Sequence, residues 1–201
     1  MKLFYMPGAC SLATHILLFE TGDKFEIEKV GRDKRTESGA DFLALNPKGY
    51  VPALQLDDGE IVTENIAIHS YLADTHPDAR LLPPNGTRDR LRALEQMVFI
   101  STEIHKSYGP LFSPAFPEDA KKGQHDKLAK SYTLIEKQLA DDRPFILGRT
   151  FSTADAYLYT ISRWATPLKM DLSKFPKLQA YLARIAERSS VKQALAAEGL
   201  S

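Results

Sequence analysis

The chain has one cysteine, one tryptophan and no net charge. A single thiol, Cys10, excludes an internal disulfide framework and any metal site built on clustered cysteines. The 26 Lys and Arg are offset by 26 Asp and Glu, so the summed charge supplies no attraction to nucleic acid or to an anionic membrane. No uninterrupted apolar run approaches the roughly 18 residues of a membrane-spanning helix. There is no Cys-x-x-Cys pair, phosphate loop, dinucleotide fingerprint or Gly-x-Ser-x-Gly elbow. His15, His69, His76 and His125 show no metal-ligand spacing, and no metal is expected. The apolar stretch Leu3 to Met6 falls short of the roughly 7–15 residues of a signal h-region, and Pro7 sits inside the supposed cleavage signal. A cytoplasmic location is the expectation for one free thiol without an export signal. What remains is 201 residues, 43% of them hydrophobic, which is ordinary globular composition and room for two compact domains.

Residues 2–6 read as a short buried strand ended by Pro7-Gly8. Leu12, Ile16 and Phe19 recur at helical spacing over 11–21, and Gly22 stops the helix. Residues 25–30 alternate as a second strand, so the crossover helix predicts parallel pairing with the first. Residues 38–45 form a short helix or turn before the turn signal Asn46-Pro47-Lys48-Gly49. Residues 50–56 and 60–63 are strands joined at Asp57-Asp58-Gly59 and hence antiparallel. Pro52 is awkward inside a central strand and makes sense if Val51-Pro52 is a cis bond at a strand end. Residues 66–74 form a helix with apolar Ile66, Ile68, Tyr71 and Leu72. The Pro-rich stretch 77–87 is the linker. Helices are then expected over 88–108, 119–139, 153–167, 175–187 and 190–198. The fold class is therefore α/β plus all-α: a βαβ-ββα domain over 1–76 and a helical bundle over 88–201.

Cys10 stands at or just before the start of the first helix. Unpaired N–H groups and the helix dipole there favour thiolate, although the same residue could be a buried, inert small hydrophobe. Asn65 can cap the third helix, or that N-terminus can take a ligand carboxylate. His105 and Lys106 read as a half-buried face whose interest depends on what the helix faces. Ser152 and Asp155 have capping-box spacing, a structural device, with Phe151 before the cap as a staple.

These pieces, taken in order, resemble the cytosolic glutathione transferases, and more closely their bacterial beta class. The carrying segments include Pro7-Gly8-Ala9-Cys10-Ser11-Leu12, Asn46-Pro47-Lys48-Gly49-Tyr50-Val51-Pro52-Ala53-Leu54, Thr63-Glu64, Glu103-Ile104-His105-Lys106, Pro110-Leu111-Phe112 and Ala154-Asp155-Ala156-Tyr157-Leu158. The resemblance covers essentially the whole chain. It implies a thioredoxin-like first domain that binds glutathione as co-substrate. It also implies a helical second domain carrying the electrophile site and the contacts of a homodimer.

Residue by residue, the resemblance implies that Cys10 contacts the glutathione sulfur and can form a mixed disulfide with it. Tyr5 and Ser11 neighbour that sulfur. Val51, before Pro52, offers its main chain to the cysteinyl part. Glu64 and Asn65 grip the γ-glutamyl end, while His105 and Lys106 line the sulfur and glycyl side. Arg35 stands where the class commonly has a Lys reaching a glutathione carboxylate. Asn65 departs from the family's usual Gly or Ser, and Gln96, Val98, Gly31 and Phe19 replace Trp, Asn, Asp and Arg. The implied activity is conjugation of the glutathione thiolate to a small apolar electrophile, for which Phe112, Phe116, Tyr157 and Trp164 are candidate lining residues. Two alternatives stand beside it: a Cys10-dependent thiol transferase, peroxidase or reductive dehalogenase, and a non-catalytic binding protein on the same fold.

Overall fold

The computed structural model describes residues 1–200. Two compact units divide between Leu81 and Leu82, inside the stretch read as a linker, and the segment from Arg188 onward belongs to the first unit. That segment was expected in the helical domain, and its packing partner explains the difference, as described below.

The first unit opens with β1 (Lys2–Tyr5), α1 (Ser11–Thr21) and β2 (Glu26–Lys29). A short α2 (Phe42–Leu45), β3 (Ala53–Gln55), β4 (Ile61–Thr63) and α3 (Asn65–Thr75) follow. The sheet order is β2-β1-β3-β4, with β1 parallel to β2 and antiparallel to β3, and β3 antiparallel to β4. The expected pairings are all present. The third strand is shorter than its apolar pattern suggests. Pro52 has no N–H for a ladder and is joined to Val51 by a cis bond, so the strand begins only at Ala53. Phe4, Val30, Phe42 and Ala53 form one buried cluster on this sheet.

Helix α1 is buried from Ser11 through Leu18 because it packs against β1, α3 and the final helix α9 (Ser189–Ala197). Its single apolar stripe would cover one neighbour; three neighbours also bury Thr14 and His15. Polar ties fix the returning segment. His15 Nδ1 lies 3.0 Å from Glu198 Oε1, and the Gly8 N–H donates to Glu198 Oε2 at 2.9 Å. Arg188 donates from Nε and Nη2 to both oxygens of Glu20, at 3.0 and 2.8 Å, the paired geometry that suits a guanidinium.

The second unit contains α4 (Arg88–Phe99), a π-helical stretch Ile100–His105, α5 (Lys106–Tyr108), α6 (Glu118–Gln138), α7 (Thr153–Ser162) and α8 (Pro176–Ala186). Two sequence expectations shorten here. The long segment 88–108 is interrupted by the π turns, and 153–167 is helical only to Ser162 before a 3₁₀ turn at Arg163–Ala165. At the start of α7 the buried Asp155 carboxylate accepts from the Ile146 and Ser152 N–H groups at 2.7 and 2.8 Å. The Ser152 and Tyr181 hydroxyls also donate to it, at 2.6 and 2.7 Å. The capping box expected from the sequence is present and extends into α8 through Tyr181.

Candidate functional site

In the first unit the loop Pro7–Ala9 delivers Cys10 to the cap position of α1, with the thiol half-buried and free of any disulfide. The Leu12 and Ala13 N–H groups at the start of α1 donate to the Ala9 and Cys10 carbonyls, and the helix dipole favours an anion at this end. The Cys10 thiol donates to the carbonyl of Val51, 3.2 Å away. The cis Val51-Pro52 bond thus places a main-chain edge directly beside the sulfur.

Around this pair lie polar groups from three loops. Lys34, at φ +63°, directs its ammonium to the Gly49 carbonyl at 2.8 Å and lies 6.0 Å from the Tyr50 ring centroid. Gly49 itself requires its glycine: φ is +68° and a Cβ would stand 3.0 Å from Leu43. Glu64 caps α3 at φ +73°, a region that costs a non-glycine residue free energy and therefore marks a constrained site. Its carboxylate pairs with Lys48 at 3.2 Å, and Lys48 also donates to Thr63 at 2.8 Å. Asn65 is the first helical residue rather than the cap, and its side chain turns inward toward Thr14 and His69.

The structure gives three of the expected residues the following surroundings. Arg35 is exposed and turns back to the Gly39 carbonyl at 3.2 Å, so the cation at the Gly49 loop is Lys34. Nothing in the local sequence separates these adjacent cations; the positive φ of Lys34 decides which one points inward. The Ser11 hydroxyl is buried and engages the Met6 main chain, at 3.3 Å from its N and 3.4 Å from its O. Tyr5 is also buried and packs 5.9 Å from the His15 ring. Burial and the nearby Glu198 charge raise its phenol above the ordinary value, so it stays protonated at neutral pH.

In the second unit, His105 ends the π-helical stretch, a distortion that recurs at functional positions. Its Nδ1 lies 2.7 Å from the buried Tyr157 hydroxyl, and its ring meets Tyr157 and Trp164 edge-on. Burial, with Lys106 adding repulsion, pushes the imidazole down to about 4, so it is neutral at pH 7. Lys106 is exposed. Of the aromatic candidates, Tyr157 and Trp164 are buried, Phe116 is half-buried and Phe112 is 50% exposed, standing 5.1 Å from Trp164.

Comparison with known proteins gives consistent matches to both units. The N-terminal domain family of glutathione S-transferases matches residues 1–74 and the C-terminal domain family matches residues 97–189. The glutathione S-transferase GstA of Escherichia coli O157:H7 is 47% identical over 201 residues, all of both chains. A sphingomonad glutathione S-transferase, solved in complex with glutathione, superposes with a TM-score of 0.95 at 46% identity over the whole of both chains. The bacterial beta class enzyme of Sphingomonas chungbukensis gives the same TM-score of 0.95 and identity of 46%, again covering both chains completely.

Proposed function

Because the chain belongs to the glutathione S-transferase family, close to its bacterial beta class, we propose that its first unit binds glutathione with the sulfur beside Cys10. The observation that carries this reading is the junction of the α1 N-terminus, the Cys10 thiol and the Val51 main chain, with 3.2 Å between the last two. A peptide laid along Val51 exchanges main-chain hydrogen bonds with it, which brings its cysteinyl sulfur to Cys10. The positive end of the α1 dipole then stabilises that sulfur as thiolate. Each unit of lowered pKa is worth about 1.4 kcal/mol, and the thiolate is the attacking species in conjugation.

The two carboxylates of glutathione need cationic or N–H partners. The N-terminus of α3, flanked by Glu64 and Asn65, suits the γ-glutamyl end: N–H groups for its carboxylate and the Glu64 carboxylate for its ammonium. Lys34 at the Gly49 loop takes the role first expected of Arg35. By the resemblance, His105 and Lys106 take further roles at the sulfur and glycyl side. A neutral imidazole there orients the thiol or accepts its proton, and the Lys106 cation favours a carboxylate. The electrophile is a small apolar molecule, and the enzyme works as a homodimer in a cytoplasmic setting.

A second chemistry is favoured by the half-buried Cys10 thiol, which is in no disulfide. The Cys10 thiolate attacks the glutathione sulfur of a disulfide between glutathione and a small thiol, forming a Cys10–glutathione disulfide and releasing that thiol as its thiolate. A second glutathione then attacks the mixed disulfide, leaves as oxidised glutathione and returns Cys10 as thiolate, since the chain has no other cysteine to resolve it. Two measurements separate the chemistries. Conjugation of glutathione to an activated aryl halide should survive at least in part in Cys10→Ala, whereas thiol transfer should vanish. Intact mass after brief exposure to oxidised glutathione should show one reductant-reversible adduct in folded wild type and none in Cys10→Ser. Absence of both conjugation and glutathione binding in wild type overturns the reading in favour of a non-catalytic member of the fold.

A further inference from the structure

We propose that Thr14 and His69 are positioning residues that hold Asn65 with its carbonyl inward and its amide nitrogen outward, so that Nδ2 donates to the α-carboxylate of the γ-glutamyl group. The inference rests on the glutathione reading above and deepens it at one end of the ligand.

Three side chains from two helices make the device. Thr14 of α1 places Oγ1 3.4 Å from Asn65 Oδ1 and 3.2 Å from His69 Nε2. Asn65 and His69 lie four residues apart, on one face of α3, and that face packs on α1. Thr14 and His69 are wholly buried and Asn65 is 7% exposed. The Thr14 and His69 end of the arrangement is therefore sealed from water.

The Thr14 hydroxyl donates to Asn65 Oδ1, and that bond sets the direction. Burial holds His69 neutral at pH 7, so its ring carries one N–H. Thr14 has one hydroxyl proton and two acceptor lone pairs. With Thr14 donating to Asn65 Oδ1, its lone pair accepts the His69 Nε2–H. The order is Nε2–H to Oγ1–H to Oδ1, a single head-to-tail chain. The Asn65 carbonyl is the terminus of that chain and faces inward. Nδ2 is then left over: it has no hydrogen-bond partner among the described residues and is not sealed from solvent.

The location gives this spare donor a use. Asn65 is the first residue of α3, whose leading main-chain N–H groups are unused by the helix. Glu64, the cap, makes no side-chain capping bond. An outward Nδ2 adds a side-chain donor to these main-chain donors, and together they suit a carboxylate. The reverse orientation would present Oδ1 and would suit the α-ammonium instead, so the two ends of one amide predict different ligand preferences.

The test is calorimetric binding of three ligands to the full chain, with the turnover constants measured alongside. The ligands are glutathione, glutaryl-Cys-Gly (α-carboxylate kept, ammonium removed) and 4-aminobutyryl-Cys-Gly (ammonium kept, α-carboxylate removed). Thr14→Val should weaken glutathione and the glutaryl peptide about tenfold, as expected for a misaligned charge-assisted hydrogen bond. It should leave the aminobutyryl peptide unchanged and raise KM with kcat within about twofold. Thr14→Ser should restore affinity, and His69→Leu, a second route to the same loss, should match Thr14→Val. In an Asn65→Gly background the Thr14→Val effect should disappear. An equal loss in that background, or a loss on the aminobutyryl peptide, overturns the proposal. Unchanged affinity in Thr14→Val while wild type binds glutathione normally overturns this inference alone. Wild type that binds no glutathione overturns the underlying reading with it.

Discussion

Replacing Asp155 by Ala should destabilise the second unit by about 3–5 kcal/mol, and the size follows from who loses a partner. The carboxylate accepts four hydrogen bonds and is fully buried. Two of its donors are the hydroxyls of Ser152 and Tyr181, which can rotate toward other acceptors. The other two are the main-chain N–H groups of Ile146 and Ser152, which cannot. A buried donor left unpaired costs about 1–3 kcal/mol, so the two fixed N–H groups account for about 2–6 kcal/mol. Part of this is returned because the ionised carboxylate is no longer buried; that burial cost is why Asp155 is raised above the ordinary Asp value. Asp155→Asn keeps the shape but can serve only one of the two N–H groups with its oxygen, so it should still cost about 2 kcal/mol. Tyr181→Phe removes one hydroxyl and should cost about 1–2 kcal/mol. Urea denaturation at pH 7, followed by the fluorescence of the lone Trp164 in the same unit, reads all three. A loss below about 1 kcal/mol for Asp155→Ala, with unchanged helix content, would refute the reasoning.

Acid should weaken the fold earlier than carboxylate protonation alone would require. Burial holds His69 at about 3 and His105 at about 4 in the folded chain, against about 6.5 when unfolded. Both are neutral when folded and protonated when unfolded across that window, so the unfolded state binds more protons and stability rises with pH. The stability is full above about 6.5 and is lost as pH falls toward 4, by about 1.4 kcal/mol per pH unit for each histidine at the steepest point. Urea midpoints that stay flat between pH 6.5 and 5, or a slope unchanged in His69→Leu, would contradict this. Glu198→Ala strips the buried His15 ring and the Gly8 N–H of their shared partner and should cost about 2–4 kcal/mol, read as a lowered unfolding midpoint. Lys34→Ala should raise the glutathione Kd several-fold with little change in stability, whereas Arg35→Ala should leave it nearly unchanged; the opposite ranking would restore Arg35 to the site.

Much of the first unit was legible because its signals are local. Apolar alternation, one crossover helix and the Asp57-Asp58-Gly59 turn specify the four strands and their directions. Cys10 was placed correctly by Pro7-Gly8 ahead of a helical repeat, and Pro52 by its conflict with a strand interior. The misses have non-local or sub-periodic causes. The segment from Arg188 onward has helical spacing that fits either unit, and only the complementarity of Glu198 with His15 and Gly8, and of Arg188 with Glu20, decides. The π turns before His105 shift a repeat too slightly for an apolar pattern to reveal. The family resemblance puts Ser11 beside the glutathione sulfur; what the sequence does not show is that its hydroxyl also engages the Met6 main chain. Asn65 was read as a cap, and its true partners, Thr14 and His69, are brought to it by helix packing.

The return of α9 to α1 has a consequence for synthesis. The first unit is encoded in two pieces, with the whole helical unit between them. On the ribosome the sheet and α1 emerge early, yet the groove that α9 fills stays open until residues beyond 188 are released. At roughly 5–20 residues per second, the hundred-odd residues of the intervening unit hold that apolar surface exposed for several seconds. The insert, continuous in sequence, can complete its own fold in that interval, so the order of translation and the order of domain completion are inverted. A fragment ending near residue 81 would carry the cysteine and the cis-proline loop but not the helix that closes α1, which makes it a poor miniature of the enzyme.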